Sequence, residues 1–243
     1  MIICIPTLGR PTTKTYKLFE DSGFQVFHFI EPQEMGLYHL PNKINIMKTG
    51  QGISYVRNFI NRWARENNFK YIAVCDDDVN HFGVAKNGKS LKTFGADALK
   101  PAFEIFKKSN FALGGVNQRQ FAWTQKKTYR INAGKVEMLH IINTSLATWE
   151  YDLKGKVDRD YVMQCINNGH SFVFFPKIFL NAPKIGSNIG GLHDYYKDGK
   201  DTKAAFEIAR KWPKYAKITK QYGRVDCKLD YSKMAKDKGL KVI

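Results

Sequence analysis

The chain has no uninterrupted apolar run of eighteen residues, so the sequence offers nothing to span a bilayer as a helix. Its opening, Met-Ile-Ile-Cys-Ile-Pro-Thr, lacks the basic leader and long apolar stretch of a secretion signal, and reads as a first strand. Cysteine is sparse: Cys4, Cys75, Cys165 and Cys227 are widely separated and form no Cys-x-x-Cys pair. That spacing argues against a thiolate zinc site or a disulfide framework and predicts reduced thiols in a cytoplasmic protein. Internal repeats and low-complexity linkers are absent. Acidic residues are also short, 22 Asp+Glu against 39 Lys+Arg, which leaves a net charge of +17. Such an excess calls for a polyanionic partner: nucleic acid, an anionic membrane surface or an acidic glycan. It is uneven, because residues 195–243 carry 14 Lys+Arg against 6 Asp+Glu, interleaved with aromatics from Tyr195 to Tyr231.

Against that background, residues 70–79 carry the most information. Tyr71 to Cys75 is a mostly apolar run that reads as a strand buried on both faces. It leads straight into Asp76, Asp77 and Asp78. Side chains alternate along extended chain, so Asp76 and Asp78 are expected to point the same way. Three adjacent anions at the rim of a core repel one another and are poorly hydrated, which calls for a positive ligand. A hard divalent cation fits, since Mg²⁺ takes one or two protein carboxylates and completes its shell with water and substrate phosphates. A single Asp after a strand is usually a turn or cap residue; three in a row are not explained that way.

With 243 residues, 43% of them hydrophobic, the chain can bury one large domain, or one domain plus an appendage. Strands are predicted at 2–5, 25–30, 43–47 and 71–75, with helices at 12–22 and 53–67. This alternation argues for an α/β sheet with parallel members. The second half predicts helices at 100–108 and 158–168, and strands at 111–116, 135–143 and 171–175, the last ended by Pro176. A glycine-bearing loop follows at 186–191, then a basic helical segment. Ligands of open α/β sheets gather at the carboxyl ends of the strands, where the Asp triplet lies. Two further segments belong at that edge. Pro6-Thr7-Leu8-Gly9-Arg10 offers a guanidinium, whose fork suits phosphate. Gly50-Gln51-Gly52 opens a helix with Arg57 near its start, where a cation opposes the helix dipole unless it serves a ligand.

Together these segments resemble the GT-A type of glycosyltransferase over roughly residues 1–195, with 196–243 as a basic helical extension packed on that domain. The resemblance rests on Pro6 to Arg10, on Glu31 after the second strand, on Gly52 with Arg57-Asn58, and on Asp76-Asp77-Asp78 as a DxD motif. It implies a Rossmann-like, mostly parallel sheet flanked by helices. It also implies that Thr7, Arg10, Glu31, Gly52, Arg57, Asn58 and Asp77 hold a nucleotide sugar, UDP-linked. Asp76 and Asp78 would hold Mn²⁺ or Mg²⁺, with His193 of Gly190-Gly191-Leu192-His193 as a further metal ligand. The family places a catalytic base on a downstream helix that is followed by Gly and an apolar strand ending in Pro. Counting back from Gly169 gives Asp158. Val157 stands where the family usually has Glu, and Asp160 is the reserve base. Asp158 could equally be a helix N-cap.

The Gly-Arg-Pro turn, Ile30-Glu31-Pro32-Gln33-Glu34 and the Gly190-Gly191-Leu192 loop are similar to the TET-associated group: phage glycosyl- and arabinosyltransferases of 5-hydroxymethylcytosine in DNA. For a phage protein the compartment would be the host cytoplasm. A DNA acceptor suits the basic charge, and Lys211, Lys214, Lys217, Lys220 and Arg224 are the cations expected to meet its phosphates. Reaching a base hydroxyl inside a duplex requires extruding or distorting the nucleotide. Three alternatives remain: transfer to a surface glycan or lipid, a metal nuclease, and an inactive DNA-binding module.

Overall fold

A computed structural model describes residues 1–243 apart from 94, 184–186, 188–189, 192, 194, 196–197 and 222. Its centre is one large sheet. The strands are β1 (Ile2–Thr7), β2 (Val26–Ile30), β3 (Lys43–Asn45), β4 (Tyr71–Cys75), β5 (His81–Lys86), β6 (Lys89–Thr93), β7 (Leu113–Gln118), β8 (Arg130–Ile131), β9 (Leu139–Asn143) and β10 (Phe172–Asn181). Their order is β3-β2-β1-β4-β9-β7-β10-β5-β6, with β8 paired to β10. The first four strands are mutually parallel. Strand β9 runs against both β4 and β7, and β5 runs against β10.

Alternation along the strands separates two cores. Ile2 and Cys4 of β1, with Ile72 and Val74 of β4, face a cluster that includes Val56, Ile60 and Ala64 of helix α1 (Ile53–Glu66). Ile3, Ile5, Ala73 and Cys75 face the other side, against Phe103 and Phe106 of α2 (Lys100–Lys107) and Leu18 and Phe19 of the 3-10 segment Thr15–Ser22. Period-two burial with apolar residues on both faces is what a sheet covered on both sides demands. Gly114 and Gly115 of β7 are needed for packing: a Cβ on Gly115 would lie 2.5 Å from Val136 Cγ1.

Further helices are α3 (Arg119–Ala122), α4 (Val157–Asn167), α5 (Lys200–Lys211) and α6 (Tyr231–Asp237). The C-terminal segment departs from the all-helical expectation. Between α5 and α6 lies an antiparallel hairpin of β11 (Ala216–Gln221) and β12 (Arg224–Leu229). The reason is periodicity. Ala216 and Ile218, then Val225, Cys227 and Leu229, alternate with polar neighbours, and the apolar set packs on Ala205 and Ile208 of α5. The segment packs on the preceding domain through ion pairs: Lys156 to Asp201 and Asp226 at 2.9 Å, and Arg159 to Asp226 at 2.7 Å. Tyr231, Met234 and Ala235 of α6 enter the same core as α1 and α4.

Three other expectations shift, and one hairpin was not foreseen. The predicted helix at 12–22 is a 3-10 segment beginning at Thr15. The predicted strand at 135–143 shortens to β9. The chain after the Asp triplet forms the β5–β6 hairpin. Strand β10 does not stop at Pro176; its register with β7 shifts between Phe175 and Phe179, and Asn117 Nδ2 donates to Pro176 O at 2.9 Å. A bulge of this kind is where a strand accommodates proline. Of the glycine-bearing loop at 186–191, residues 186, 188 and 189 lie outside the described residues.

Candidate active site

Parallel strands β1, β2 and β4 end at one edge of the sheet, and the predicted residues gather there. Asp77 is buried and faces the β1 turn. Thr7 Oγ1 donates to its Oδ2 at 2.7 Å, and Arg10 Nη1 pairs with its Oδ1. Its backbone carbonyl accepts the hydroxyls of Thr13 and Thr15. Asp77 is thus the brace between the first loop and the β4 end. Arg10 also lies 3.4 Å from Asp78 and donates to Gly190 O at 3.3 Å. The amide of Gly191 donates to Leu8 O at 3.0 Å. A Cβ at Gly190 would meet Leu8 O at 2.7 Å, so only glycine allows this docking. Tyr38 completes the loop: its hydroxyl accepts the Arg10 amide at 2.9 Å.

Asp76 faces α1 instead. Arg57 Nη2 lies 3.0 Å from its Oδ1, and Arg57 Nη1 pairs with Asp158 Oδ1 at the start of α4. Arg57, 3% exposed, therefore joins the end of β4 to the start of α4. Withdrawal from water works against its charge, but Asp158 and Asp76 outweigh it. Tyr151 lies beneath, its ring centroid 5.5 Å from the guanidinium carbon. Withdrawal from water pushes the Asp76 carboxyl up to about 7, with Asp158, Asp78 and Asp77 adding to it and Arg57 opposing. For Asp158 burial acts upward, yet Arg57 and His140 hold it below the ordinary carboxylate range.

His140 on β9 was not foreseen. Its Nε2 lies 3.0 Å from Asp158 Oδ1, a close contact too poorly angled for a full hydrogen bond, and its Nδ1 lies 2.9 Å from the Tyr151 hydroxyl. The available signal was a lone His inside an apolar strand, directly opposite Val74.

Other expected residues sit differently. Glu31 accepts the Gly50 amide at 3.1 Å and Gln33 Nε2 at 2.7 Å, which ties β2 to the loop before α1. Gly52 caps α1 with φ of 80°. Asn58 is spent on structure: its amide donates to Tyr151 O and its carbonyl accepts the Tyr151 amide, both at 2.8 Å. Asp160 is buried and saturated by Trp212 Nε1 at 2.6 Å, Lys211 Nζ at 2.8 Å and Gln164 Nε2 at 2.8 Å. It anchors α5. Lys211 is correspondingly committed to Asp160 and Asp152, and Lys214 pairs with Asp237. Lys217, Lys220 and Arg224 lie exposed on the β11–β12 hairpin.

Asp76 and Asp78 keep 28% and 21% of their side chains exposed, against 5% for Asp77. Among the described residues no group of three His, Cys, Asp or Glu is placed to cage an ion. Two partly exposed carboxylates fit a hard divalent ion that takes the rest of its shell from water and phosphate.

The raised Asp76 carboxyl gives a testable sign. Folded chain keeps this proton at pH values where unfolded chain has released it. Its contribution to stability therefore falls as pH rises from the ordinary 3.8 to about 7. Asp77 and Asp160 are displaced in the same direction. Asp158 acts only in acid, below the ordinary range. Urea unfolding of Asp76→Asn between pH 5 and 7 is expected to show a shallower decline than the parent. An unchanged slope would place the crowding elsewhere.

The fold and this edge define an α/β protein with a phosphate-suited first loop and an acidic cluster at the end of a central strand. The sequence profile of the TET-associated glycosyltransferases matches residues 1–191, and the chain belongs to that family. No curated protein matches it significantly. Among solved structures it is similar to S. aureus TarS 1–349, with 13% identity and a TM-score of 0.49, covering 86% of this chain and 66% of that one. Mannose-1-phosphate geranyltransferase from Thermus thermophilus gives 10% identity and a TM-score of 0.33, covering 72% of this chain and 57% of that one. Mannose-6-phosphate isomerase from Helicobacter pylori gives 11% and 0.31, covering 100% and 90%. This chain thus spans less than two thirds of the first two, and likeness at this level informs neither substrate nor mechanism.

Proposed function

We propose that the chain transfers a sugar from a nucleotide-sugar donor, UDP-linked, to the hydroxyl of a hydroxymethylated pyrimidine, 5-hydroxymethylcytosine, in DNA. The observation that carries the reading is the meeting of Asp76, Arg57 and Asp158 at one sheet edge, beside the Thr7–Asp77–Arg10 brace. Asp76 and Asp78 would hold Mg²⁺ or Mn²⁺, which when bound neutralises the donor diphosphate. Arg10 and Arg57 supply fixed positive charge toward the same phosphates. Asp158 is the group placed to take the acceptor's proton while the anomeric carbon gains positive character. His140 and Arg57 keep it ionised and oriented. The direct test incubates hydroxymethylated and unmodified DNA with a panel of nucleotide sugars and a divalent ion, then weighs the nucleosides by mass spectrometry. Mass added to surface glycan or lipid but never to DNA would shift the acceptor, and cleavage of plasmid would indicate a nuclease.

The hairpin supports the DNA acceptor. Lys217 and Lys228 face each other directly across β11 and β12, a like-charge pairing that costs stability unless an anion lies over it. Duplex affinity is expected to fall with salt by a log–log slope of about −0.9 per phosphate neutralised. Reversing Lys217, Lys220 and Arg224 to Glu should flatten that slope, whereas reversing Lys211 should chiefly lower stability, because it breaks the Asp160 anchor. A slope untouched by the hairpin changes would remove β11–β12 from the DNA path.

A further inference from the structure

Residues 119–130 carry an unusual surface. Three aromatic side chains are exposed within nine residues: Phe121 at 49%, Trp123 at 52% and Tyr129 at 40%. Exposed large aromatics so concentrated mark an interaction site more often than an ordinary surface. Between them stand Arg119, Lys126 and Lys127, all exposed. From Ile105 to Val136 the sequence contains no Asp or Glu. Among the described residues, none of these three cations pairs with a carboxylate. Beside them opens a shallow cavity of about 450 Å³ rimmed by Thr124, Lys126, Lys127 and Arg130.

The display is anchored. Ala122, between the two exposed rings, is fully buried against Ala85 and Phe179, and fixes α3 to the sheet. The segment also leaves the sheet at the reaction edge. Strand β9 runs against both β4 and β7, so β7 and β4 point the same way and both end on that side. A short bridge links the two: Gln118 Nε2 donates to Glu137 at 3.1 Å, and Glu137 pairs at 2.8 Å with Arg159, the neighbour of Asp158.

We propose that residues 119–130 form a stacking platform for an unpaired nucleic-acid strand; this rests on the DNA-acceptor reading and says how the base is presented. Duplex DNA hides its base faces and offers mainly phosphates. Exposed rings interleaved with free cations suit a strand whose bases are splayed, because each base has a face to stack and each phosphate a charge to neutralise. A base taken out of the stack at this edge would lie on the side of Asp158.

The test uses the full chain without donor. Binding is measured by fluorescence anisotropy with a labelled single-stranded oligothymidine and, separately, with a blunt duplex at the same salt. Phe121→Ala/Trp123→Ala should weaken single-strand binding about tenfold or more per ring, with duplex affinity changed less than twofold and the thermal midpoint unaltered. Trp123→Phe should restore most of it. Lys126→Glu/Lys127→Glu should reduce the salt dependence for the single strand. Unchanged single-strand affinity in the double-alanine variant overturns the platform, as does equal loss for both DNA forms, or a dimer in sedimentation that the alanine changes dissolve. If the parent binds neither DNA form, the acceptor reading falls as well; if it binds duplex while the aromatic changes are silent, the platform alone falls.

Discussion

Asp158→Asn is expected to lower turnover by about 10²–10⁴-fold with donor affinity nearly unchanged. The geometry gives the reason. Asp158 Oδ1 is shared between Arg57 and His140, so the carboxylate is ionised and aimed, and an amide there cannot accept a proton. The same partners also make it a weak base. Arg57 bridges Asp158 and Asp76, so a donor diphosphate that draws the guanidinium toward itself would release Asp158 to a higher pKa. Base strength would then follow donor occupancy. The control is Asp160→Asn. That residue is locked by Trp212, Lys211 and Gln164, so its loss should lower the melting temperature and leave turnover per folded molecule largely intact. Stopped transfer in Asp160→Asn with an unchanged melting temperature, beside an active Asp158→Asn, would move the base to the second position.

Arg57→Ala is expected to destabilise the fold by about 3–5 kcal/mol, because it leaves two carboxylates facing each other without their shared cation. Urea unfolding measures it. Part of the loss should return in Arg57→Ala/Asp158→Asn, since neutralising one carboxylate removes the orphaned charge; the double change should cost less than the two singles together. Donor binding by calorimetry should weaken in the same variant. Stability equal to the parent would show that the guanidinium is not what holds β4 and α4 together at this edge.

Much of this arrangement was legible beforehand because burial and alternation leave a sequence trace. The runs at β1, β2 and β4 are apolar on both faces, and α1 repeats its apolar residues at helical spacing. The Asp triplet announces itself by its position after a buried strand. What escaped has physical causes too. The β5–β6 hairpin carries its turn signal, Asn87-Gly88, with φ of 53° and 72°, but few apolar residues around it. The β11–β12 strands are half solvated, so their apolar residues are sparse and a lysine-rich helix is an easy misreading. Proline normally ends a strand, and only the bulge that β7 tolerates lets β10 continue. Asn58, Asp160 and Lys211 have the right chemistry for ligand work, but Asn58 meets Tyr151 and Asp160 meets Lys211 and Trp212, partners distant in sequence and invisible to spacing.

The sheet order also sets a timetable for synthesis. Strand β5 pairs with β10 through Val84 and Ile178, and translation at roughly 5–20 residues per second separates their emergence by on the order of 5–20 s. Through that interval the β5–β6 hairpin presents an unpaired edge to every neighbouring nascent chain. Lys86 ends β5, while Lys89 and Lys92 lie on β6, the terminal strand of the sheet, where charge on an open edge repels the edge-to-edge pairing that begins aggregation. The lysines of β6 would thus guard an edge that β10 does not cover, during synthesis and after it.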